Sequence, residues 1–221
     1  MAEPAGRKIE RLEPSQHVDR RWLVFLSGGE LLRVGESEVV AFGLYKGMEV
    51  TDALYAGLTE AAKLGAAKAK ALEYLSHRTL SRRELVDKLT ARPRDREKEP
   101  AATGEQAEEI ADWLEELGYL NDAEYARSVA RHYSAKGWGE RKIRDELWKR
   151  GVARDLWDQA MEEAQEPEDG VDAFLQKRFK GAAPDRKELK RAADALARRG
   201  YRWNEIREGL NRYGAELSED D

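Results

Sequence analysis

The stretch Tyr119-Leu-Asn-Asp-Ala-Glu-Tyr-Ala-Arg-Ser-Val-Ala-Arg-His-Tyr-Ser-Ala-Lys-Gly-Trp-Gly-Glu-Arg-Lys-Ile-Arg-Asp-Glu-Leu-Trp-Lys-Arg-Gly-Val152 spells two consecutive helices. Asn121 or Asp122 can cap the first, and Asp122 and Glu124 place negative charge in its opening turn, where the helix dipole favours it. Tyr125, Val129 and Tyr133 recur every four residues, so they share one face and form a stripe to be buried. Lys136 and Gly137 end that helix, with a cation in the last turn and a glycine free to take positive φ. A second helix over about Glu140 to Arg150 buries Ile143 and Leu147 and stops at Gly151. Arg127 and Arg131 lie on the side away from the apolar stripe. A packed face opposed by a cationic one is the pattern to look for elsewhere.

Working outward, the 221 residues suffice for one large domain or two small ones with a real core. Charged residues make up 38% of the chain, yet the net charge is only −5. Charges are therefore interspersed as on solvated helices, and bulk coating of nucleic acid is excluded while local basic faces are not. The chain has no cysteine, so disulfides and thiolate metal sites are excluded and a cytoplasmic location is expected. No apolar run approaches the roughly 20 residues that span a bilayer.

Strand signals are confined to the first part of the chain. Arg7-Lys-Ile-Glu-Arg-Leu alternates, Arg21-Trp-Leu-Val-Phe-Leu is rich in β formers, and Ser27-Gly-Gly-Glu turns into Leu31-Leu-Arg-Val. Glu38-Val-Val-Ala-Phe-Gly-Leu is a third candidate strand. The pattern predicts a β-hairpin or a small sheet of three to four strands over about residues 7–45. Met48 to Leu64 and Ala67 to His77 follow as two helices. Ser81, with Glu84 three residues on, makes a capping box for a helix burying Leu85 and Leu89. Residues 91–104 contain Pro93 and Pro100 and form a solvated loop. A helix over Glu105 to Leu117 presents Ile110, Trp113, Leu114 and Leu117 and stops at Gly118. Past the central pair come Ala153–Ala164, a break at Glu166-Pro-Glu-Asp-Gly, Val171–Phe179, Asp185–Arg199 and Asn204–Tyr213. An acidic tail covers 216–221.

The chain also repeats itself. Ser76–Leu89 aligns without gaps on Ser134–Leu147, matching Leu85/Leu89 to Ile143/Leu147, and Gly137–Leu147 aligns on Gly200–Leu210, with Gly151 meeting Gly214. The unit is a helix, a turn with an aromatic or leucine plug (Tyr201 in the last copy), and a shorter helix, with a third helix linking units. The fold expected is mainly α, an elongated, curved tandem array of three-helix modules preceded by the small N-terminal sheet plus helix. Its parts are an extension over 1–65, modules over 66–120, 121–166 and 167–215, and the tail. Stacked modules of this kind bury neighbour-to-neighbour surfaces and leave a long exposed face.

Chemistry is sparse. Histidine occurs only as His17, His77 and His132, with no ligand-pair spacing, and no phosphate-binding glycine loop is present. No nucleophile has a base placed to serve it, so neither an enzyme nor a cofactor is expected. Cations remain: Arg127, Arg131, Lys136, Arg141, Arg144, Lys149 and Arg150 in the centre, then Lys187, Lys190, Arg191, Arg198, Arg199 and Arg202. Each group is either a solvated helix face or a contact with phosphate backbone or an acidic protein groove. Trp113 and Trp157 read as core. Trp138, Trp148 and Trp203 sit at turns or helix ends, where interface anchoring and packing between modules are both open to them.

In Ala71–Leu89, Leu117-Gly-Tyr-Leu-Asn-Asp-Ala-Glu-Tyr-Ala, Lys136–Ile143, Leu147-Trp-Lys-Arg-Gly-Val and Arg198-Arg-Gly-Tyr, the chain resembles the RecX regulatory proteins of bacteria, over about residues 66–214. The resemblance implies a monomeric, non-enzymatic modulator of the RecA recombinase that lies in the groove of the RecA–DNA filament. There it would inhibit strand exchange, ATP hydrolysis and co-protease activity, meeting single- and double-stranded DNA through the filament and no membrane. Direct DNA binding without RecA is the alternative. The matching residues are structural: Ser81 and Glu84 as cap, Asp122 at a helix start, Gly118, Gly137, Gly151 and Gly200 as stops, and Tyr125, Ile143, Leu147 and Tyr201 as core. Two departures stand out, Gly139 in place of a side-chain cap and the long loop 91–104. The cations from Arg127 to Arg202 are the expected contacts to RecA or its DNA.

Overall fold

A computed structural model describes residues 7–95, 99–164, 167–181 and 183–213. Gly214, Glu166 and the tail 216–221, each given a role above, lie outside these. The chain divides into two compact units, Met1–Arg78 with Leu85–Leu114, and Thr79–Glu84 with Glu115–Asp221.

In the first unit, β1 (Arg7–Pro14), β2 (Arg21–Leu26), β3 (Leu31–Gly35) and β4 (Glu49–Val50) form an antiparallel sheet in the order β3-β2-β1-β4. The register slips by one residue between Ile9 and Arg11. Ile9, Val24, Leu26, Val34, Leu44, Val50 and Leu58 are its buried core. Three readings fail here, the first being the start of the helix expected from Met48: Glu49–Val50 pair with Arg7–Lys8 as β4, and the helix begins at Asp52. Glu38–Leu44 is not a strand: α1 (Glu36–Ala41) occupies it, with Glu36 and Glu38 in the first turn. Helical spacing turns Val39 and Phe42 onto the core and leaves Val40 76% exposed, a division that strand alternation would not make. Nor is there a helix end near Leu64, because α2 (Asp52–His77) is one 26-residue helix capped by Thr51. A lone interior glycine such as Gly65 costs about 1 kcal/mol against alanine, too little to break a helix anchored by buried Leu58, Ala67 and Ala71.

Next come α3 (Arg82–Thr90) and α4 (Gly104–Glu116), the latter opened by reciprocal hydrogen bonds between Thr103 and Gln106. The loop before it is not wholly solvated, since Ala102 is buried and its N–H donates to the Leu89 carbonyl. Leu117, expected on the apolar face, lies just past the helix and is 53% exposed.

The second unit is helical: α5 (Asp122–Ala135), α6 (Glu140–Lys149), a 3-10 turn (Arg154–Leu156), α7 (Trp157–Glu162), α8 (Pro167–Phe179), α9 (Arg186–Arg198) and α10 (Trp203–Arg212). The expected break at 166–170 gives way to a helix start at Pro167, the first-turn position that tolerates a missing N–H. Gly170 is thus helical, and a Cβ there would collide with the Tyr201 hydroxyl.

The repeat is real in three dimensions. Ile143 and Leu147 in one copy and Ile206 and Leu210 in the next are buried, as are Leu85 and Leu89. The turns share one device. After α5, α6 and α9 the residue two past the cap donates to the carbonyl five back: Trp138 to Tyr133, Val152 to Leu147, Tyr201 to Leu196. The intervening Gly137, Gly151 and Gly200 have positive φ. In such a motif the residue after the glycine makes an apolar contact with the helix it ends. Trp138 accordingly stacks on Tyr133 at 4.4 Å, which is why a large apolar plug recurs in the sequence.

Candidate functional site

The second unit holds most of the residues that the sequence singles out. Asn121, not Asp122, caps α5, accepting from the Glu124 N–H at 2.9 Å. Asp122 is left to bind elsewhere, and its carboxylate accepts the Arg82 N–H at 2.8 Å. Beside it Ser81 accepts from the Glu84 N–H and donates to the Arg150 carbonyl, and the Tyr125 hydroxyl donates to Glu84 at 2.8 Å. The motif residues Ser81, Glu84, Asp122 and Tyr125 therefore form one polar cluster.

Burial pushes the Asp122 carboxyl above its ordinary range, only partly offset by the Arg82 N–H, with Glu115 and Glu84 adding to the rise. The folded state thus holds that proton more tightly than the unfolded chain does. This stabilisation is full below the unfolded value of about 3.9 and lost as pH rises through the folded one. Asp122→Asn keeps an acceptor for Arg82 without the charge. Its melting temperature should gain on the parent's as pH rises from acid toward neutrality, and a gap that shrinks over that range would contradict this.

Between α6 and α9 the backbones touch. Gly139 N–H donates to the Arg199 carbonyl at 2.9 Å and Arg141 N–H to the Gly200 carbonyl at 3.2 Å. A Cβ on Gly139 would lie 2.5 Å from the Gly200 carbonyl carbon, and one on Gly200 2.5 Å from the Lys142 nitrogen. The cap side chain missing at Gly139 is missing because no room exists for it.

The cations divide by what neutralises them. Arg127 and Arg131 do share a side of α5, but both bind Glu124, and Arg131 also binds Glu163 at 3.2 Å. Arg131 first and then Arg127 hold the Glu124 carboxyl below its ordinary range. Arg144 binds Glu140 and Asp158, each at 2.7 Å, Lys149 and Arg150 bind Glu146, and Arg202 binds Glu140 at 2.8 Å. Exposed ion pairs of this kind contribute little stability, but they cancel the field an anion would feel. Arg141 is exposed. On α9 the cations Lys187, Lys190, Arg191 and Arg198 are exposed opposite buried Leu189, Ala193 and Leu196, as the spacing predicts.

The tryptophans sort similarly. Trp138 and Trp157 are both half-buried against the core of α5 and α6, the latter with its indole N–H on the Val152 carbonyl. Trp148 and Trp203 do not pack between modules: they are 64% and 46% exposed. Trp148 lies two turns along α6 from Arg141, on the same face.

One concavity has no counterpart in the sequence reading. The end of α5 (Ala135, Lys136, Gly137), the outer face of α8 (Gly170, Ala173, Phe174, Lys177, Arg178) and Arg199 line a cleft of about 480 Å3. Lys136 and Arg199 are among the expected contacts, whereas Lys177 and Arg178 are not. Their adjacency in the last turn of a short helix was the available signal, masked because α8 shows only a weak division into apolar and polar faces. Among the described residues, no group of three or more His, Asp or Glu side chains is placed to hold a metal, and no helix is long and apolar enough to cross a membrane.

A family model described as RecX, second three-helix domain, matches residues 121–161. The chain is 34% identical over 148 residues to regulatory protein RecX of Vibrio campbellii, covering 65% of this chain and 89% of that one. Against the Vibrio parahaemolyticus RecX it is 40% identical over 100 residues, 43% of this chain and 63% of the relative. Against the Listeria innocua RecX it is 30% identical over 157 residues, 71% of this chain and 55% of the relative. A crystal structure of regulatory protein RecX superposes with a TM-score of 0.71 at 23% identity, over 93% of this chain and 99% of the other. RecX from Lactobacillus salivarius does so at 0.60 and 21%, over 70% and 98%. Those two likenesses bear on the fold, which they share: helical modules preceded by an antiparallel sheet. With a relative matched over nearly its whole length, the chain belongs to the RecX family of regulatory proteins.

Proposed function

We propose that this protein is a non-catalytic negative regulator of the RecA recombinase. It lies in the groove of the RecA–DNA filament and inhibits strand exchange, ATP hydrolysis and co-protease activity. Family membership supports the reading, and one observation carries it to a surface: Trp148, 64% exposed, shares a face of α6 with Arg141. A large aromatic left in water on a helix face that also carries an arginine is the composition of an energetic anchor at a protein–protein interface. The α9 cations Lys187, Arg191 and Arg198 extend the contact, whereas Arg127, Arg131 and Arg144 are already neutralised and contribute less. The protein acts as a monomer in the cytoplasm, where its partner is.

The test follows RecA ATPase and strand exchange on single-stranded DNA with added protein. An anchor contributes at least about 2 kcal/mol, a factor of roughly 30 in affinity. Trp148→Ala with Arg141→Glu should therefore need about 30-fold more protein for half-inhibition, with an unchanged melting temperature. Unchanged inhibition by the variant would move the contact elsewhere. If the parent protein alters neither reaction, the function itself is wrong. A second reading, direct binding of DNA without RecA, is favoured by the cleft at Lys136, Lys177, Arg178 and Arg199.

A further inference from the structure

We propose that the cleft at Lys136, Lys177, Arg178 and Arg199 is the docking site of the chain's own acidic segment, Glu216-Leu-Ser-Glu-Asp-Asp221, which covers the four cations until an anionic partner displaces it. The inference does not rest on the recombinase reading. All four cations are exposed, no ion pair joins any of them among the described residues, and no carboxylate lines the cleft. On α5 and α6, by contrast, Arg127, Arg131, Arg144, Lys149 and Arg150 each have a glutamate within 3.4 Å. Arg199 is held in place, its guanidinium 4.8 Å from the centre of the Phe174 ring and donating to the Gly137 carbonyl at 3.5 Å. Arg178 stands 6.0 Å from the same ring. Two guanidinium groups thus flank one half-buried aromatic, which gives the cleft a cationic rim and an apolar middle.

Connectivity then selects the occupant. The last described residue, Tyr213, packs its ring against Phe179 with centroids 5.4 Å apart, and its hydroxyl accepts the Gly181 N–H at 3.2 Å. The chain therefore continues from a point beside the C-terminal end of α8, whose last turn carries Lys177 and Arg178. Ala173, in the cleft, lies roughly 9 Å back along α8 from Phe179 at the rise of a helix. The stretch from Tyr213 to Ser218 spans up to roughly 17 Å when extended, so the acids come within reach. Glu216, Glu219, Asp220 and Asp221 offer one carboxylate for each cation, and Leu217 among them suits the Phe174 ring. Ala135, Gly137, Gly170 and Ala173 leave the floor open to an extended main chain. Each exposed ion pair contributes little alone. A short tether, however, presents the segment at an effective concentration on the order of 1 mM, which an unattached acidic peptide would have to match.

The chain has no cysteine, so Ser218→Cys with Ala173→Cys in the full chain leaves two thiols whose pairing reports the contact. Under oxidised glutathione, the disulfide within one chain should form about tenfold faster at low salt than at 1 M salt, where screening acts beyond roughly 3 Å. Lys177→Glu with Arg178→Glu should slow it by a similar factor at low salt. Lys136→Glu, on another helix, should act in the same direction, and unchanged melting temperatures identify these variants as folded. A measurement without thiols uses a labelled peptide of the sequence Glu216–Asp221. It should bind the chain carrying Glu216→Gln, Glu219→Gln, Asp220→Asn and Asp221→Asn at least about fivefold more tightly than the parent, because the tethered competitor is gone. Three results each overturn the proposal: a disulfide rate indifferent to salt and to the cleft variants, disulfides formed mainly between chains, or peptide bound equally by the parent and the neutralised chain.

Discussion

Gly139→Ser should destabilise the second helical unit by about 2 kcal/mol or more, although serine is the better residue for capping a helix. Position 139 is the N-cap of α6 and makes no side-chain cap bond. From capping alone, serine in place of glycine gains a few tenths of a kcal/mol. Against that stands the backbone of Gly200 and Tyr201, whose atoms lie 2.5–2.6 Å from where the new Cβ must sit. Those atoms are main chain held by the Gly139 and Arg141 N–H bonds, so they do not swing aside as the end of a lysine would. Gly200→Ala acts on the other half of the contact and should cost more, about 3 kcal/mol. It adds the strain of a side chain at φ +90 to a 2.5 Å approach on the Lys142 nitrogen. Urea unfolding followed by tryptophan fluorescence reads both, with Trp138 beside the junction. A Gly139→Ser protein as stable as the parent would show that α6 and α9 do not depend on this close approach.

The sequence displayed the repeat but not this reason for it. Buried pairs such as Ile143 and Leu147 are legible because a helix imposes its own period, and stop glycines such as Gly137 are legible because left-handed backbone has few other occupants. What a glycine touches across the fold has no local signature, so Gly139 read as a missing cap instead of a contact. Val39 and Val40 show the opposite failure. Their β preference is local, yet the burial of Val39 and Phe42 on the sheet core decided for a helix. The site was half legible for a related reason. Periodicity marks where Arg127 and Arg131 lie on their own helix, but the arrival of Glu163 from another element, or the convergence of Lys177 on Arg199, depends on packing between helices.

Ser81→Ala should cost about 2–3 kcal/mol, much more than an ordinary cap removal. The cap bond to the Glu84 N–H contributes about 1 kcal/mol. The same hydroxyl, fully buried, also donates to the partly buried Arg150 carbonyl, and losing that bond costs a further 1–2 kcal/mol or so. Tyr125→Phe removes another donor to Glu84, whose carboxylate is thereby less well held to close the box on the Ser81 N–H. The two changes meet at one carboxylate and should not add: a double-mutant cycle ought to show a coupling of at least about 0.5 kcal/mol. Additivity within experimental error would mean that the cap and the tyrosine act separately, and that Ser81, Glu84 and Tyr125 are three local features instead of one joint. Coupling of the expected size would explain physically why a tyrosine 41 residues away from Glu84 belongs to one motif with the Ser81–Glu84 box: each satisfies a polar group that another leaves exposed to burial.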